Sequence, residues 1–322
     1  MVSSYPGLTQ GDWLWKQTPD AFGSWGKIQM VAPHAQPDFL LLYQYDFFSW
    51  RQSNSRSWRR SLKDKVSATL FSRASRERTP DLDVLFRNVP QERRVYLLRE
   101  PPLKEISQKN RTNYEFAQRY CRYVSGPDEF APTPNYMPAI WYVDVSFREL
   151  AEMPAPIKVK PCSWITSGIS RTENHRNRLN FLRSVQESEF EVDFYGRGLP
   201  SWVSSLGALN NKWHALAPYY YNLAIENYAD NPWYVSEKLW DALLGWCLPI
   251  YYGGSAADAL LPAGSFLRLP SMDEKGLAFI REVTATPDAW FEAQSAIAEA
   301  RQIILHKLNL LNWLSEYVEQ FS

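Results

Sequence analysis

The run Tyr219-Tyr-Tyr-Asn-Leu-Ala-Ile-Glu-Asn227, followed by Tyr234-Val-Ser-Glu-Lys-Leu-Trp-Asp-Ala-Leu243 and by Leu248-Pro-Ile-Tyr-Tyr-Gly-Gly254, decides the fold. Its first block is aromatic and apolar and stops at two polar residues, which predicts a strand over 221–225. In the second block Ser236 is placed to cap a helix over 236–246 whose Leu239, Leu243 and Leu244 share a buried face. The third reads as a strand over 247–252 that runs into Gly253-Gly254-Ser255 and an alanine-rich helix start. Strand and helix in regular succession require a parallel sheet covered on both faces, because each crossover helix returns the chain to the same edge.

Working outward, the alternation extends to strand candidates at 163–166, 191–195 and 266–269, and to helices over 177–188 and, in two or more pieces, 286–317. Towards the N-terminus the pattern is weaker, with short β-rich runs at 28–32, 39–43 and 94–98. Pro127 to Pro138 carries four prolines and reads as an extended connection, and Met153-Pro-Ala-Pro156 marks a hinge. A chain of 322 residues is comfortable for two domains of about 150 each, so residues 1–155 and 156–322 are expected to form separate α/β domains.

Lys plus Arg equal Asp plus Glu at 35 each, so no net field gathers a polyanion and nucleic acid is not an expected partner. The exception is the serine-spaced Arg51–Arg60 stretch, which reads as a solvated loop or as a surface for an acidic membrane or glycolipid headgroup; peripheral membrane contact stays open. The aromatic load of 14 Trp, 18 Tyr and 16 Phe exceeds what packing alone needs and supplies faces on which sugars and bases stack. Cys121, Cys162 and Cys247 form no CxxC pair, which argues against a disulfide framework and a zinc site and fits a reducing compartment. No basic start leads into an apolar run and nowhere do about 18 apolar residues run together, so a cytoplasmic chain is expected.

Ligands of parallel sheets sit beyond the carboxyl ends of the strands, which directs attention to Glu226 and Asn227 and to Gly196, Arg197 and Gly198. The helix start at Ser236, with Lys238 in its first turn, offers a dipole and a full charge to an anion and suits a diphosphate. Glu237 would repel phosphate, so it either complements the dipole or accepts hydrogen bonds from ribose or sugar hydroxyls. The Gly253-Gly254 loop lacks the spacing of a dinucleotide fingerprint or a P-loop, so neither a nicotinamide oxidoreductase nor an NTPase is supported. Asp81-Leu-Asp83 follows Pro80 and reads as a turn, and His34, His175, His214 and His306 are scattered.

The three opening blocks, with Val192-Asp-Phe-Tyr-Gly-Arg197 upstream, resemble the α-1,3/α-1,4-fucosyltransferase family, glycosyltransferase family ten, over about residues 166–269. The resemblance implies a GT-B architecture, two Rossmann-like domains facing a central cleft, with GDP-fucose on the C-terminal domain and the acceptor largely on the N-terminal one. Asn227, Tyr234, Glu237 and Lys238 fall on the family's positions for the nucleotide sugar, and Ser236 stands where the family often has Thr. Arg178 fits the spacing of a phosphate-binding arginine, with Arg176 as the alternative. An inverting transfer also needs a carboxylate base. The family places a Glu after an N-terminal-domain strand, which here points to Glu100 before Pro101-Pro102, although the surroundings differ from the bacterial Gly-Glu-Asn pattern; Glu226 and Asp193 are alternatives. Arg178, Lys238 and the helix start are expected to neutralise the leaving diphosphate, so no metal or other cofactor is required and a divalent cation is at most stimulatory. The expected partners are a nucleotide sugar and an oligosaccharide or surface-glycan acceptor. Competing readings are another nucleotide sugar on the same scaffold and a glycan-binding protein on a decayed transferase fold, the latter disfavoured by intact Arg178, Glu237 and Lys238.

Overall fold

The structure, a computed structural model, describes residues 1–3, 12–20, 23–30, 36–47, 82–188 and 190–321. The Arg51–Arg60 stretch, His34 and Asp81 lie outside these residues. In chain order the elements are β1 (Val2–Ser3), α1 (Asp12–Trp15), β2 (Ser24–Trp25), β3 (Ile28–Gln29), β4 (Leu40–Tyr43), α2 (Leu82–Phe86), β5 (Arg94–Leu97), α3 (Ser107–Tyr120), β6 (Tyr123–Gly126) and β7 (Thr133–Pro134). There follow α4 (Phe147–Glu152), β8 (Lys160–Ser167), α5 (Glu173–Glu187), β9 (Asp193–Arg197), β10 (Tyr219–Ile225), α6 (Glu237–Leu244), β11 (Leu248–Tyr252), α7 (Ala256–Leu260), β12 (Leu267–Arg268), α8 (Glu274–Thr284), α9 (Asp288–Gln302) and α10 (Leu310–Glu319).

Two compact α/β units result. The first, Met1–Gln10 with Ala32–Asn135, is built on an all-parallel sheet in the order β1-β4-β5-β6-β7. All four residues of β4 are buried, as a central parallel strand covered on both faces requires. Leu40, Leu42, Tyr96, Leu98 and Val124 pack there with Tyr114 and Ala117 of α3 and with Phe47 and Phe86.

The second unit, Gly11–Val31 with Tyr136–Ser322, carries a parallel sheet in the order β12-β11-β10-β8-β9. Its core is continuous from Trp164, Tyr221 and Ile250 on the strands to Leu239, Leu243 and Ile297 on the helices. Counted from β8, this order is 2-1-3-4-5, the doubly wound arrangement whose direction of winding reverses between β8 and β10.

Several local expectations shift. β9 runs on through Arg197, so Gly196 and Arg197 are strand residues, not a turn after it. α5 starts at Glu173, four residues early, because Thr172 and His175 form a reciprocal capping box. The 286–317 stretch resolves into α9, a π turn over Ile303–Lys307 and α10, while α3 and α8 had no sequence counterpart. Of the 28–32 run, only the two residues of β3 are strand among the described residues, paired antiparallel with β2. Cys121, Cys162 and Cys247 are each buried and free.

The compact units do not divide at the proline-rich hinge of 153–156. Residues 136–152 belong with the second unit because Trp141, Phe147 and Leu150 sit in its core and because buried groups bind them there. The Tyr142 amide donates to Asp241 Oδ1 at 2.7 Å, and Arg301 donates to the Leu150 carbonyl. The segment 11–31 joins the same unit through Gln17 Nε2, which donates to the Trp141 carbonyl at 2.7 Å, and through Asn309 Nδ2, which donates to the Gln17 carbonyl at 2.9 Å. A fragment beginning at residue 157 therefore lacks Trp141, Phe147 and Leu150. It is expected to show neither a near-ultraviolet circular dichroism signal of fixed aromatics nor cooperative urea unfolding, and a cooperative transition in that fragment would show that these segments are dispensable.

Candidate functional site

The reversal between β8 and β10 leaves a crevice at their carboxyl ends, and one side chain bridges it. Arg178, in the second turn of α5 and only 2% exposed, donates through Nη1 to Asn227 Oδ1 at 2.7 Å, just beyond β10. Through Nη2 it donates to the Ser167 carbonyl, the last residue of β8, at 2.8 Å. Asn174 Nδ2 adds a bond to the Asn227 carbonyl at 2.8 Å. Nε of Arg178 is buried with no hydrogen-bond partner, an unspent donor in a place where such groups are normally satisfied. Burial pulls the guanidinium down to about 10, with the charges of Tyr234 and Glu226 acting in the opposite direction.

Next to this bridge Glu226 directly follows β10, and its side chain is fully enclosed. Its Oε1 accepts from the Ser236 amide at 2.8 Å, and its Oε2 accepts from Ser236 Oγ at 2.7 Å and from Lys238 Nζ at 3.0 Å. Ser236 Oγ also receives Lys238 Nζ at 3.0 Å while accepting from the Lys238 amide as the N-cap of α6. Lys238 is thus neither solvated nor wholly spent. An ammonium has three donors, two are used here, and its side chain remains 20% exposed.

Glu237 lies on the same first turn, its carboxylate 4.0 Å from Lys238 Nζ and 3.9 Å from Lys212 Nζ. Tyr234 is buried and its backbone is set by Asn231, whose Oδ1 accepts from the amides of Trp233 and Tyr234 at 3.0 and 2.9 Å. The glycine loop after β11 packs on this turn: a Cβ at Gly254 would collide with the Asn231 carbonyl oxygen. Arg268 of β12 holds the loop from the other side, donating to the Gly254 carbonyl at 2.9 Å and pairing with Asp258 at 2.5 Å.

The structure therefore gathers Arg178, Asn227, Tyr234, Ser236, Glu237 and Lys238 around one strand edge. The other candidates stand apart from this edge or are enclosed. Arg176 is exposed and donates to the Ser170 carbonyl at 3.4 Å. Glu226 holds the helix start and has no exposed oxygen with which to act as a base. Asp193 lies at the opposite, amino edge of the sheet, bound by Lys160 and Tyr219 at 2.6 and 2.7 Å. Burial would raise the Asp193 pKa, but those bonds and the lysine's charge outweigh it and hold the carboxyl below its ordinary value. His175 serves the capping box, and His306 meets Phe147 edge-on at 5.0 Å.

Glu100 belongs to the first unit, beyond the end of β5 and half-buried. Gln44, in a left-handed backbone conformation after β4, folds its side-chain carbonyl over this turn and accepts from the amides of Arg99 and Glu100 at 2.5 and 3.1 Å. A second carboxylate, Asp128, follows β6 fully buried, raised above its ordinary pKa by burial although Tyr114 and Asn110 donate to it. Sequence reasoning missed Asp128, missed Asp241 within α6, and missed Lys212 beside that helix. The signal for Asp241 was an acid inside the apolar run Leu239–Leu244, which demands a cation wherever that helix is enclosed.

Residues 155–289 match the family model described as glycosyltransferase family 10 (fucosyltransferase), C-terminal part. Alpha-(1,3)-fucosyltransferase C of Drosophila melanogaster is 32% identical over 143 residues, which cover 41% of this chain and 30% of that protein. The matched stretch thus spans less than a third of that relative's length. Among solved structures, an α1,3-fucosyltransferase with GDP-fucose is similar with 16% identity, a TM-score of 0.44 and coverage of 84% of this chain and 85% of the other. Anabaena HepE in complex with UDP-glucose shows 13% identity, a TM-score of 0.48 and coverage of 88% and 79%.

Breaking a buried ion pair from one side leaves an uncompensated group in the interior, which costs about 3 to 5 kcal/mol. Because Glu226→Gln keeps the shape but removes the charge that Lys238 and Ser236 answer, it is expected to lower the unfolding free energy by about 3 kcal/mol in urea titrations. An unchanged midpoint and slope would show that the anchor contributes nothing to stability.

Proposed function

We propose that the protein is an inverting transferase that moves L-fucose from GDP-fucose to a hydroxyl of an oligosaccharide or surface glycan, a reading supported by the match of residues 155–289 to the family model of the glycosyltransferase family 10 fucosyltransferases. The observation that carries this reading is the Arg178–Asn227 bridge across the reversal point of a doubly wound sheet, beside a helix start that holds Lys238. That edge is where such sheets take their ligands, and its donors suit a nucleoside diphosphate.

In this reading the third N–H of Lys238 and the N-terminus of α6 face the diphosphate, with Arg178 supplying positive potential from beneath. Asn227, Tyr234 and Glu237 read hydroxyls of the ribose and the sugar. Glu100 takes the proton of the acceptor hydroxyl as that oxygen forms its bond to the anomeric carbon and the bond from that carbon to the β-phosphate oxygen breaks. The electron pair of the broken bond leaves with GDP, whose new charge the fixed cations meet. Side chains thus cover the leaving group, and turnover is expected to survive a chelator; complete loss with EDTA, restored by magnesium or manganese, would assign that role to a metal.

The reading is tested by transfer and hydrolysis assays with GDP-fucose, GDP-mannose and UDP-sugars, of which GDP-fucose alone is expected to turn over. Two variants separate the roles. Lys238→Ala removes a charge-assisted phosphate contact worth about 1.5 to 3 kcal/mol, so GDP affinity is expected to fall by about tenfold or more in calorimetry. Glu100→Gln removes basicity and keeps size, so turnover is expected to fall by about 10²-fold with GDP affinity unchanged. Normal turnover in a folded Glu100→Gln protein would exclude it as the base.

A further inference from the structure

Glu237 and Asp241 stand one helical turn apart on α6, two carboxylates on one stripe of a helix that is almost wholly buried. Like charges at this spacing repel, and Asp241 has only 3% of its side chain exposed. A single cation answers both. Lys212, in the short 3-10 turn Lys212–Ala215, places Nζ at 2.5 Å from Asp241 Oδ2 and 3.9 Å from Glu237 Oε1. The same ammonium lies over the Tyr142 ring, 5.2 Å from its centre, and the Tyr142 amide donates to the other Asp241 oxygen at 2.7 Å. The turn itself is fixed by Asn211, whose Oδ1 accepts from the amides of Trp213 at 2.9 Å and Asp144 at 3.0 Å.

We propose that Lys212 is a positioning residue for Glu237, clamped by Asp241 and Tyr142 so that its charge fixes the carboxylate towards the hydroxyls of the bound nucleotide sugar and away from the phosphates. The proposal rests on the reading of this edge as the nucleotide-sugar site. Its physical content is a charge balance. Lys212 offsets the second carboxylate that the start of α6 carries beside Lys238. Without Lys212 the Lys238 ammonium, 4.0 Å away, would draw the Glu237 carboxylate onto the phosphate-facing side of the turn. Electrostatics around the clamp agree with it. Burial would lower the Lys212 pKa, but the charges of Asp241 and Glu237 outweigh burial and hold the ammonium above its ordinary value. Burial keeps the Asp241 carboxyl above its own ordinary value, and the Lys212 charge opposes that rise.

The test is a double-mutant cycle read by calorimetric binding of GDP-fucose and of inorganic pyrophosphate. Lys212→Met alone leaves Asp241 buried without a cation, so the cycle is run in an Asp241→Asn background, which keeps the shape of the helix face and, once Lys212→Met is added, the local net charge, while Tyr142 still holds the Lys212 ammonium. In that background Lys212→Met and Glu237→Gln are each expected to weaken GDP-fucose binding by about tenfold, the loss of one well-placed carboxylate–hydroxyl bond. Combined, they are expected to lose no more than Glu237→Gln alone, because a residue that acts through Glu237 has nothing left to act on. Pyrophosphate, which has no hydroxyl to read, is expected to lose affinity in Lys212→Met, where the Glu237 carboxylate turns towards the phosphates, and to regain it when Glu237→Gln is added. In the otherwise unaltered chain, Lys212→Arg is expected to restore most of the affinity lost in Lys212→Met. Additive losses in the cycle, or a pyrophosphate loss in Lys212→Met that Glu237→Gln does not relieve, would overturn the proposal by showing a merely structural role. A wild-type protein that binds pyrophosphate but not GDP-fucose would instead overturn the reading of the site itself.

Discussion

The enclosed carboxylate of Glu226 is the constraint on which the second unit depends. A charge taken out of water is tolerated only where hydrogen bonds and an opposite charge replace its hydration. Here the replacements are the Ser236 amide, the Ser236 hydroxyl and the Lys238 ammonium, all from the start of α6. One side chain thereby ties the end of β10 to the helix that follows, and the intervening loop must close in a single geometry. Asn231 fills that loop with two side-chain hydrogen bonds to its own backbone, which is how Tyr234 comes to be held beside Arg178.

The far end of α6 is held by charge of the opposite sign. Arg301 donates to the Leu243 and Leu244 carbonyls, and Lys158 donates to the Gly245 carbonyl at 2.8 Å and the Leu216 carbonyl at 3.3 Å. Neither cation has a carboxylate partner among the described residues, and burial lowers Lys158 to about 8 and Arg301 to about 9. Acids at the N-terminus and cations at the C-terminus both complement the helix dipole. A two-turn helix that would be marginal alone is thus fixed at both ends, and the side chains of its first turn inherit that rigidity.

The same buried polar groups explain why the chain divides where it does. Met153-Pro-Ala-Pro156 has the composition of a linker, yet the segment before it cannot separate from the second unit, because Leu150 accepts from Arg301 and Tyr142 donates to Asp241. Composition reports how a segment is built, whereas domain membership follows from which core its apolar residues and hydrogen-bonding groups complete. The residues that complete a core lie far away in sequence: Asn309 binds Gln17 across nearly the whole chain.

The sequence alone determined the parallel α/β class, the strands over 221–225 and 247–252 with the helix between them, and the helix cap at Ser236. These rest on periodicity, capping and spacing, which are local and therefore visible in order along the chain. Some local signals were still misread: α5 began earlier because its capping box uses a histidine at the position where Glu or Gln is usual. Tertiary structure decided the rest. It buried Arg178 and exposed Arg176, enclosed Glu226 among the groups that start α6, and put Asp193 at the amino edge. It also brought Lys212 to Glu237 and Asp241 from 25 and 29 residues away. The physical reason is that the role of a charged group is set by its hydration and its partners, and both depend on contacts between segments whose separation along the chain carries no signal.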